Sequence, residues 1–235
     1  MNRWIHTALA ALALAVGLPA QAATSYRFTS PVYTSVTNFT PPCGPFDGTC
    51  QTLAAGERVR GTFTTTAPLP ANLSIATNSY GLVSGWSFSN GTITLTPASP
   101  GVRVLNFRLA TNSAGEITDS LVEITRWTDG AASGHVTGER VEYLRASISP
   151  GTTMVNGTCT LITTSSAGMV DTCLGHNPIA SSSHAAYPAG GIWARDSAPP
   201  PPGARPVPAL GAAGLGLTTL LASALGARRL RRRRS

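Results

Sequence analysis

Four cysteines are the residues whose type and spacing most directly suggest chemistry: Cys43, Cys50, Cys159 and Cys173. Zinc is one interpretation, but neither neighbouring pair has the separation of about two to four residues typical of zinc ligands, and only His176 follows closely. In an oxidising compartment an even count favours two disulfides, although three pairings are open. We expect the local pairs, Cys43 with Cys50 and Cys159 with Cys173, and no bound metal ion or cofactor.

Acid–base catalysis is the second chemistry that the sequence offers. Asp119 and Glu123 lie four residues apart, and His135 follows in a glycine-rich segment. Ser181, Ser182 and Ser183 precede His184. Carboxylates on a strand usually face solvent, a lone loop histidine is usually on the surface, and a serine run is usually a flexible linker. The motifs GxSxG and HExxH and the calcium-loop pattern are all missing from the sequence, so we expect no catalytic residue and no enzyme.

Exposed aromatic residues could bind polysaccharide, and five are candidates: Trp86, Trp127, Tyr143, Tyr187 and Trp193. Trp86 is better explained as a core residue by the strand pattern around it. Trp127 and Trp193 lie beside turn-like segments, so these two are the candidate glycan contacts if the domain binds polysaccharide.

The segment GWSFSNGTITLT carries the strongest local signal for strands. Asn90-Gly91 favours the positive φ angles of a tight hairpin turn. A two-residue loop pairs Ser89 with Thr92, Phe88 with Ile93 and Trp86 with Leu95. All the apolar residues then lie on one face of the hairpin.

The same alternation extends through residues 23–196. Val59 and Phe63 are expected to point inward with Gly61 between them, and a shift in the apolar pattern predicts a bulge near Val104. Further strands are expected at residues 26–35, 116–127 and 139–148, with an edge strand at 191–195. We predict one all-β domain, a single antiparallel β-sandwich, for which a jelly-roll arrangement is open.

The charge of the chain is concentrated at its end. All seventeen basic residues are arginine, and six lie in the last eight positions. Between residues 24 and 204, nine arginines and ten carboxylates give a net charge of −1. This excludes nucleic acid as a partner, because no basic surface remains to neutralise phosphates.

The N-terminus has the features of a secretory signal peptide, residues 1–22. Arg3 is basic, residues 8–18 are apolar, and Ala20-Gln21-Ala22 is a small-x-small cleavage site. We therefore expect Sec-type export machinery and signal peptidase as partners.

The C-terminus reads as a membrane-spanning tail. Residues 197–208 are a proline-rich spacer, residues 209–227 have no charge, and residues 228–235 are rich in arginine. Nineteen helical residues extend roughly 28 Å, close to the hydrocarbon thickness of a bilayer. Arginines directly after such a helix resist translocation, so we expect them in the cytoplasm. A permanent single-span anchor and a removable tail both fit these features.

Val207-Pro208-Ala209-Leu210, with Arg228 and Arg229 after the apolar run, resembles the C-terminal sorting signals of proteobacterial exosortase substrates, the PEP-CTERM and IPTL-CTERM tails. The chain lacks the Pro-Glu-Pro form and is closer to Ile-Pro-Thr-Leu. The resemblance implies a membrane-bound exosortase-like transpeptidase that removes the helix. It also implies transient anchoring in the inner membrane of a Gram-negative bacterium, followed by delivery to the cell surface or an exopolysaccharide matrix.

The preceding domain is similar to the β domains of uncharacterised secreted proteins with such tails. The expected function is therefore that of a structural or adhesive cell-surface or extracellular-matrix protein. A polysaccharide-binding module is the alternative, and a hydrolytic enzyme is less favoured.

Overall fold

The computed structural model describes residues 23–41 and 50–196. Within these ranges the chain is all-β, apart from the 3-10 helix Tyr80–Leu82, and its strands form two antiparallel sheets. The strands are β1 (Thr24–Thr29), β2 (Ser35–Thr37), β3 (Arg60–Thr65), β4 (Val83–Ser89), β5 (Thr94–Leu95), β6 (Val102–Thr111), β7 (Ile117–Trp127), β8 (Arg140–Ser147), β9 (Gly151–Thr163), β10 (Thr172–Asn177), β11 (Ser183–Tyr187) and β12 (Ile192–Asp196). None of the described helical structure is long and apolar enough to cross a membrane.

The first sheet has the strand order β12-β1-β3-β4-β5. The edge strand expected at residues 191–195 is confirmed as β12, which pairs with β1. An ion pair of 2.8 Å between Arg27 and Asp196 joins these two strands at the surface.

The second sheet has the order β2-β11-β9-β8-β7-β6. Its long strand β9 is shared: residues 151–155 pair with β11, and the later residues pair with β10. The connection from β9 to β10 then reaches β6, where Ser166 Oγ donates to the Leu105 carbonyl at 3.0 Å and Arg103 Nε donates to the Val170 carbonyl at 3.2 Å. We call residues 164–177 the covering segment. Cys173 and His176 lie against Trp127 and Tyr143, on the face of the second sheet turned away from the first sheet, its outer face, whereas Ala167 and Met169 pack against the core cluster.

Aromatic side chains hold the two sheets together. Phe63 of β3 stacks on Tyr26 with ring centroids 4.7 Å apart and meets the edge of Phe107 of β6 at 5.4 Å. Phe88 of β4 also contacts Phe107, at 6.4 Å. Because these side chains come from both sheets and are fully buried, the domain is β-sandwich-like. The jelly-roll arrangement stays a prediction.

The hairpin at Asn90-Gly91 forms, and Gly91 has a φ of 93°, as its position predicts. The predicted register is wrong, however, because Phe88 pairs with Leu95 and Ser89 pairs with Thr94. The loop therefore has four residues instead of two. The shift of two residues keeps the apolar side chains on the same face.

The side chain of Asn90 explains the longer loop. Its Oδ1 accepts hydrogen bonds from the backbone amides of Thr92 and Ile93, at 3.0 and 2.8 Å. Its Nδ2 donates to Thr153 Oγ1 of the second sheet at 2.9 Å, and Asn90 is fully buried. The asparagine thus closes its own loop and links the two sheets.

A single strand over residues 26–35 was also a wrong prediction, because the segment divides between the sheets. β1 ends at Thr29 and β2 begins at Ser35, in the other sheet. Pro31 has no amide hydrogen and cannot continue a strand ladder. Elsewhere the pattern is confirmed: Val59 and Phe63 are fully buried, Trp86 is 6% exposed, and β6 is irregular between Val104 and Asn106.

One buried ion pair lies on the inner face of the second sheet. Glu142 is fully buried, and its Oε2 is 2.6 Å from Arg126 Nε. Burial raises the pKa of Glu142, and the close approach and charge of Arg126 partly offset that rise. Glu142 shares its face with Leu144 and Ala146, so the pair occupies the end of the apolar row on β8.

Gly61 is required where β3 passes the ring of Phe88. A Cβ at this position would lie 1.9 Å from Cδ1 of Phe88, which is fully buried and has no room to move. Gly61→Ala should therefore lower the free energy of unfolding by about 1–3 kcal/mol through overpacking. Gly56→Ala is the control, because no atom lies within 4 Å of the position that its added methyl group would occupy. Equal urea midpoints for the two variants would contradict the packing described here.

Candidate functional site

The disulfide between Cys159 and Cys173 fastens the covering segment to β9. The Cα atoms are 5.7 Å apart, and both cysteines are fully buried. They form a second apolar cluster with Trp127 and Val141, against which Ile162 packs. This pairing confirms one of the two predicted local disulfides. The other, Cys43 with Cys50, stays a prediction because Cys43 lies outside the described residues.

Trp127 belongs to this second cluster and has no exposed ring face, since only 1% of the residue is accessible. Its Nε1 donates to the Asp171 carbonyl at 3.0 Å. Its ring stacks on that of His135, with centroids 4.1 Å apart and planes 4° apart. A sugar ring therefore cannot stack on Trp127 in this structure.

His135 is held in place on three sides. Besides the stacked Trp127, its Nδ1 lies 2.5 Å from Asp171 Oδ2 and its Nε2 lies 3.3 Å from Asp129 Oδ1. Only 1% of the side chain is exposed, so its assignment to the surface was wrong. The covering segment supplies Asp171, and a sequence separation of thirty-six residues concealed this contact.

The backbone conformation of Asp171 lets its carboxylate bind His135 at two atoms. Its φ of 57° turns the backbone so that the carboxylate Oδ2 also accepts the backbone amide of His135, at 3.4 Å. Burial acts to raise the pKa of Asp171, but the hydrogen bonds from His135 and the nearby charges of His135 and Arg103 lower it overall. The ionised carboxylate is therefore the favoured form.

Three side chains in the loop between β7 and β8 could hold a metal ion. One potential ligand atom from each of Asp129, His135 and Glu139 lies within 4.8 Å of the other two. All three residues lie in the segment DGAASGHVTGER, where the glycine-rich stretch around His135 is the signal visible in the sequence. The spacing of Asp129, His135 and Glu139 matches neither HExxH nor the calcium-loop pattern.

A polar cluster joins β6, β7 and β8 on the outer face. Glu123 Oε1 accepts the hydroxyl of Tyr143 at 2.6 Å, and Oε2 accepts Asn106 Nδ2 at 2.6 Å. Arg145 is 4.0 Å from the same carboxylate. Asp119, by contrast, is half-buried, and the hydrogen bond described for it is a local one, accepted from the Ser120 amide. None of the hydrogen bonds in the described residues joins Asp119 to Glu123.

His176 of the covering segment packs over this polar cluster. Its ring centroid is 3.9 Å from that of Tyr143. Burial lowers the pKa of His176, and the charge of Glu123 only partly opposes this. Burial, together with Glu123, also raises the pKa of Tyr143. Both groups are thus neutral at neutral pH.

The serine run before His184 is not the flexible linker that its composition suggests. Ser181, Ser182 and Ser183 are all at least nine-tenths buried. Ser182 Oγ donates to the Asn156 carbonyl at 2.8 Å, and Ser183 begins β11. Ser183 Oγ accepts the backbone amide of Phe39 at 3.1 Å, so backbone groups account for two of the three hydroxyl groups, while Ser181 Oγ is buried without a hydrogen-bond partner among the described residues.

Trp193 of β12 is partly buried. Its ring packs on Phe28 and Phe63, at 5.0 and 5.2 Å, and its Nε1 donates to Ser120 Oγ at 2.9 Å. With Glu116 and Arg195 it also lines a surface cavity of about 490 Å³. Of the two predicted glycan contacts, Trp193 is thus the one that lines a cavity open to solvent.

The predicted sorting residues Val207, Pro208, Ala209, Leu210, Arg228 and Arg229 lie outside the described residues, as does the signal peptide. No family model matches the chain, and neither a curated protein nor a solved structure shows significant similarity to it.

The lowered pKa of His176 predicts acid sensitivity. The unfolded chain binds a proton near pH 6.5, whereas the folded chain resists protonation, so the free energy of unfolding should fall as the pH drops below about 6.5. His176→Gln should weaken this pH dependence in urea titrations between pH 7.5 and 5. Leu174→Ala, at an exposed position of the same strand, should retain it. An unchanged pH dependence in His176→Gln would show that other groups cause the effect.

Proposed function

We propose that the protein is an exported β-sandwich-like domain that serves as a structural or adhesive component of the bacterial cell surface or extracellular matrix. The observation that carries this proposal is the buried disulfide between Cys159 and Cys173. Disulfides persist in oxidising compartments and are rare in the cytosol. A chain that is secreted before it folds acquires such a bond readily.

The ends of the domain are compatible with processing at both termini. Cleavage after Ala22 would leave β1 intact, because this strand begins at Thr24. At the other end β12 finishes at Asp196, immediately before the predicted spacer of residues 197–208. Ser25 pairs with Asp196, so the chain enters and leaves the domain at the same place. Removal of either terminal segment would leave the strand pairing complete.

In this proposal the tail of residues 209–235 is a temporary anchor that an exosortase-like transpeptidase removes. The arginines of residues 228–234 hold the chain at the inner membrane until cleavage. The test is the C-terminus of the mature protein from its native host, determined by mass spectrometry. A C-terminal peptide ending near Pro208 is the expected result.

Replacing the six arginines of residues 228–234 by glutamine should cause loss of correct processing or orientation, whereas Arg205→Gln, before the apolar run, should be processed normally. Mature molecules that retain residues 228–235 would instead identify a permanent membrane anchor.

The cavity at Trp193 favours polysaccharide binding as a second candidate function. It combines an aromatic ring with the charged side chains Glu116 and Arg195, and its volume of about 490 Å³ is in the range of ligand sites. The partly buried ring is the group on which a sugar would stack, and the charges could orient its hydroxyl groups.

Glu116→Ala should lower retention on a bound polysaccharide by roughly tenfold or more, the loss typical of a central contact. Ile192→Ala, at a position of β12 that is 67% exposed, should bind like the wild type. Pull-downs with extracellular polysaccharide from the host provide the measurement. Failure of the wild type to bind, or equal retention of the Glu116 variant, would exclude this cavity as a glycan site.

A further inference from the structure

We propose that Asp129, His135 and Glu139 form a binding site for a divalent metal ion of the zinc type. The site lies in the loop between β7 and β8, and the covering segment supports it from behind through Asp171. It does not depend on the proposed function, because it requires neither export nor processing of the tail.

The histidine is oriented as a metal ligand. A metal-bound histidine commonly donates the N–H of its second ring nitrogen to a carboxylate, and this hydrogen bond fixes the tautomer and the ring plane. Here Asp171 Oδ2 takes that role at 2.5 Å from Nδ1, and the stacked ring of Trp127 fixes the plane. Nε2 is thereby directed towards Asp129.

The contact between His135 and Asp129 needs a positive charge. When the Nδ1 proton is donated to Asp171, Nε2 carries a lone pair. Asp129 Oδ1, 3.3 Å away, is also an acceptor. Two acceptors face each other favourably only if a cation lies between them, and that cation is either a second proton on the imidazole or a metal ion.

The distances suit a tetrahedral ion. With bonds of about 2.0–2.2 Å, two ligands on tetrahedral zinc are about 3.4 Å apart. The separation of 3.3 Å between His135 Nε2 and Asp129 Oδ1 is close to this value. All three potential ligand atoms of Asp129, His135 and Glu139 lie within 4.8 Å of one another. The longer distances among them can shorten by side-chain rotation, because the side chain of Asp129 is 56% exposed and Glu139 is only partly buried. A water or an exogenous ligand would complete the coordination.

The loop is built so that the three side chains can converge. Gly134 and Gly138 adopt φ angles of 91° and 98°, which disfavour other residues, on either side of His135. Arg103, the charged neighbour of Asp171, donates instead to the backbone carbonyls of Val102, Ala132 and Val170. Backbone amides contact the two carboxylates instead: Ala131 donates to Asp129 Oδ1 at 3.0 Å, and Val136 donates to Glu139 Oε2 at 3.2 Å. These bonds hold the carboxylates beside His135 without neutralising their charge.

The ligand set selects the class of ion. Calcium and magnesium prefer oxygen ligands throughout, whereas one imidazole with two carboxylates suits zinc and neighbouring transition metals. A protonated imidazole between Asp129 and Asp171, stacked on Trp127, is the competing arrangement, and it binds no metal.

The test is zinc binding by the mature protein, stripped with a chelator and titrated with Zn²⁺ in a calorimeter. We expect saturation at one ion per chain. Asp129→Asn and Glu139→Gln should each weaken binding by about tenfold or more, and Asp171→Asn, which alters the orientation of His135, by about 10- to 100-fold. These variants are preferred to His135→Gln, because His135 is buried and its loss could unfold the loop. His184→Gln is the control that should bind like the wild type.

Circular dichroism verifies that each variant is folded. Absence of zinc binding by the folded wild type, which the protonated imidazole predicts, would overturn the proposal. Equal affinity of the wild type and the folded Asp129 and Glu139 variants would also overturn it, as would stronger binding of Ca²⁺ than of Zn²⁺.

Discussion

The disulfide between Cys159 and Cys173 is the constraint on which the outer face of the second sheet depends. It closes a loop with a sequence separation of 14, and such a link contributes about 3 kcal/mol in the chain-entropy model. More specifically, it holds the covering segment against β9 and completes the apolar cluster around Trp127. Trp127 in turn fixes the plane of His135, and the covering segment supplies Asp171. The bond therefore connects the environment in which the protein folds to the loop that we propose binds zinc.

Part of the second sheet is consequently covered on both faces, by the first sheet on one side and by the covering segment on the other. Tyr143 lies beneath His176 on the outer face, while Leu144, the next residue, points into the sandwich core. A strand buried on two sides needs no alternation of apolar and polar residues. Polar groups on such a strand need partners instead, and Glu123 finds them in Tyr143 and Asn106. The same burial disfavours the charged form of His176.

This arrangement explains which features could be predicted from the sequence. Alternation identified Phe63, Trp86 and the irregularity near Val104, because those strands face the core with one side. It could not reveal that Asn90 turns its amide inward to close a four-residue loop, or that Ser182 donates its hydroxyl to the backbone of β9. The burial of His135 could not be predicted from the sequence for a similar reason. The surrounding composition indicated a surface position, but the side chain is buried against Asp171, thirty-six residues away in the chain. Glu142 is a further example, since only the packing of Arg126 against it makes a buried carboxylate tolerable.

The most direct test of this account is the state of the cysteines in the protein recovered from its native host, measured by mass spectrometry of peptides prepared without reduction. The account predicts a peptide in which Cys159 is linked to Cys173 in essentially every molecule. Free thiols at these positions, or a link from Cys159 to Cys43 or Cys50, would contradict both the described outer face and the export on which the proposed function rests.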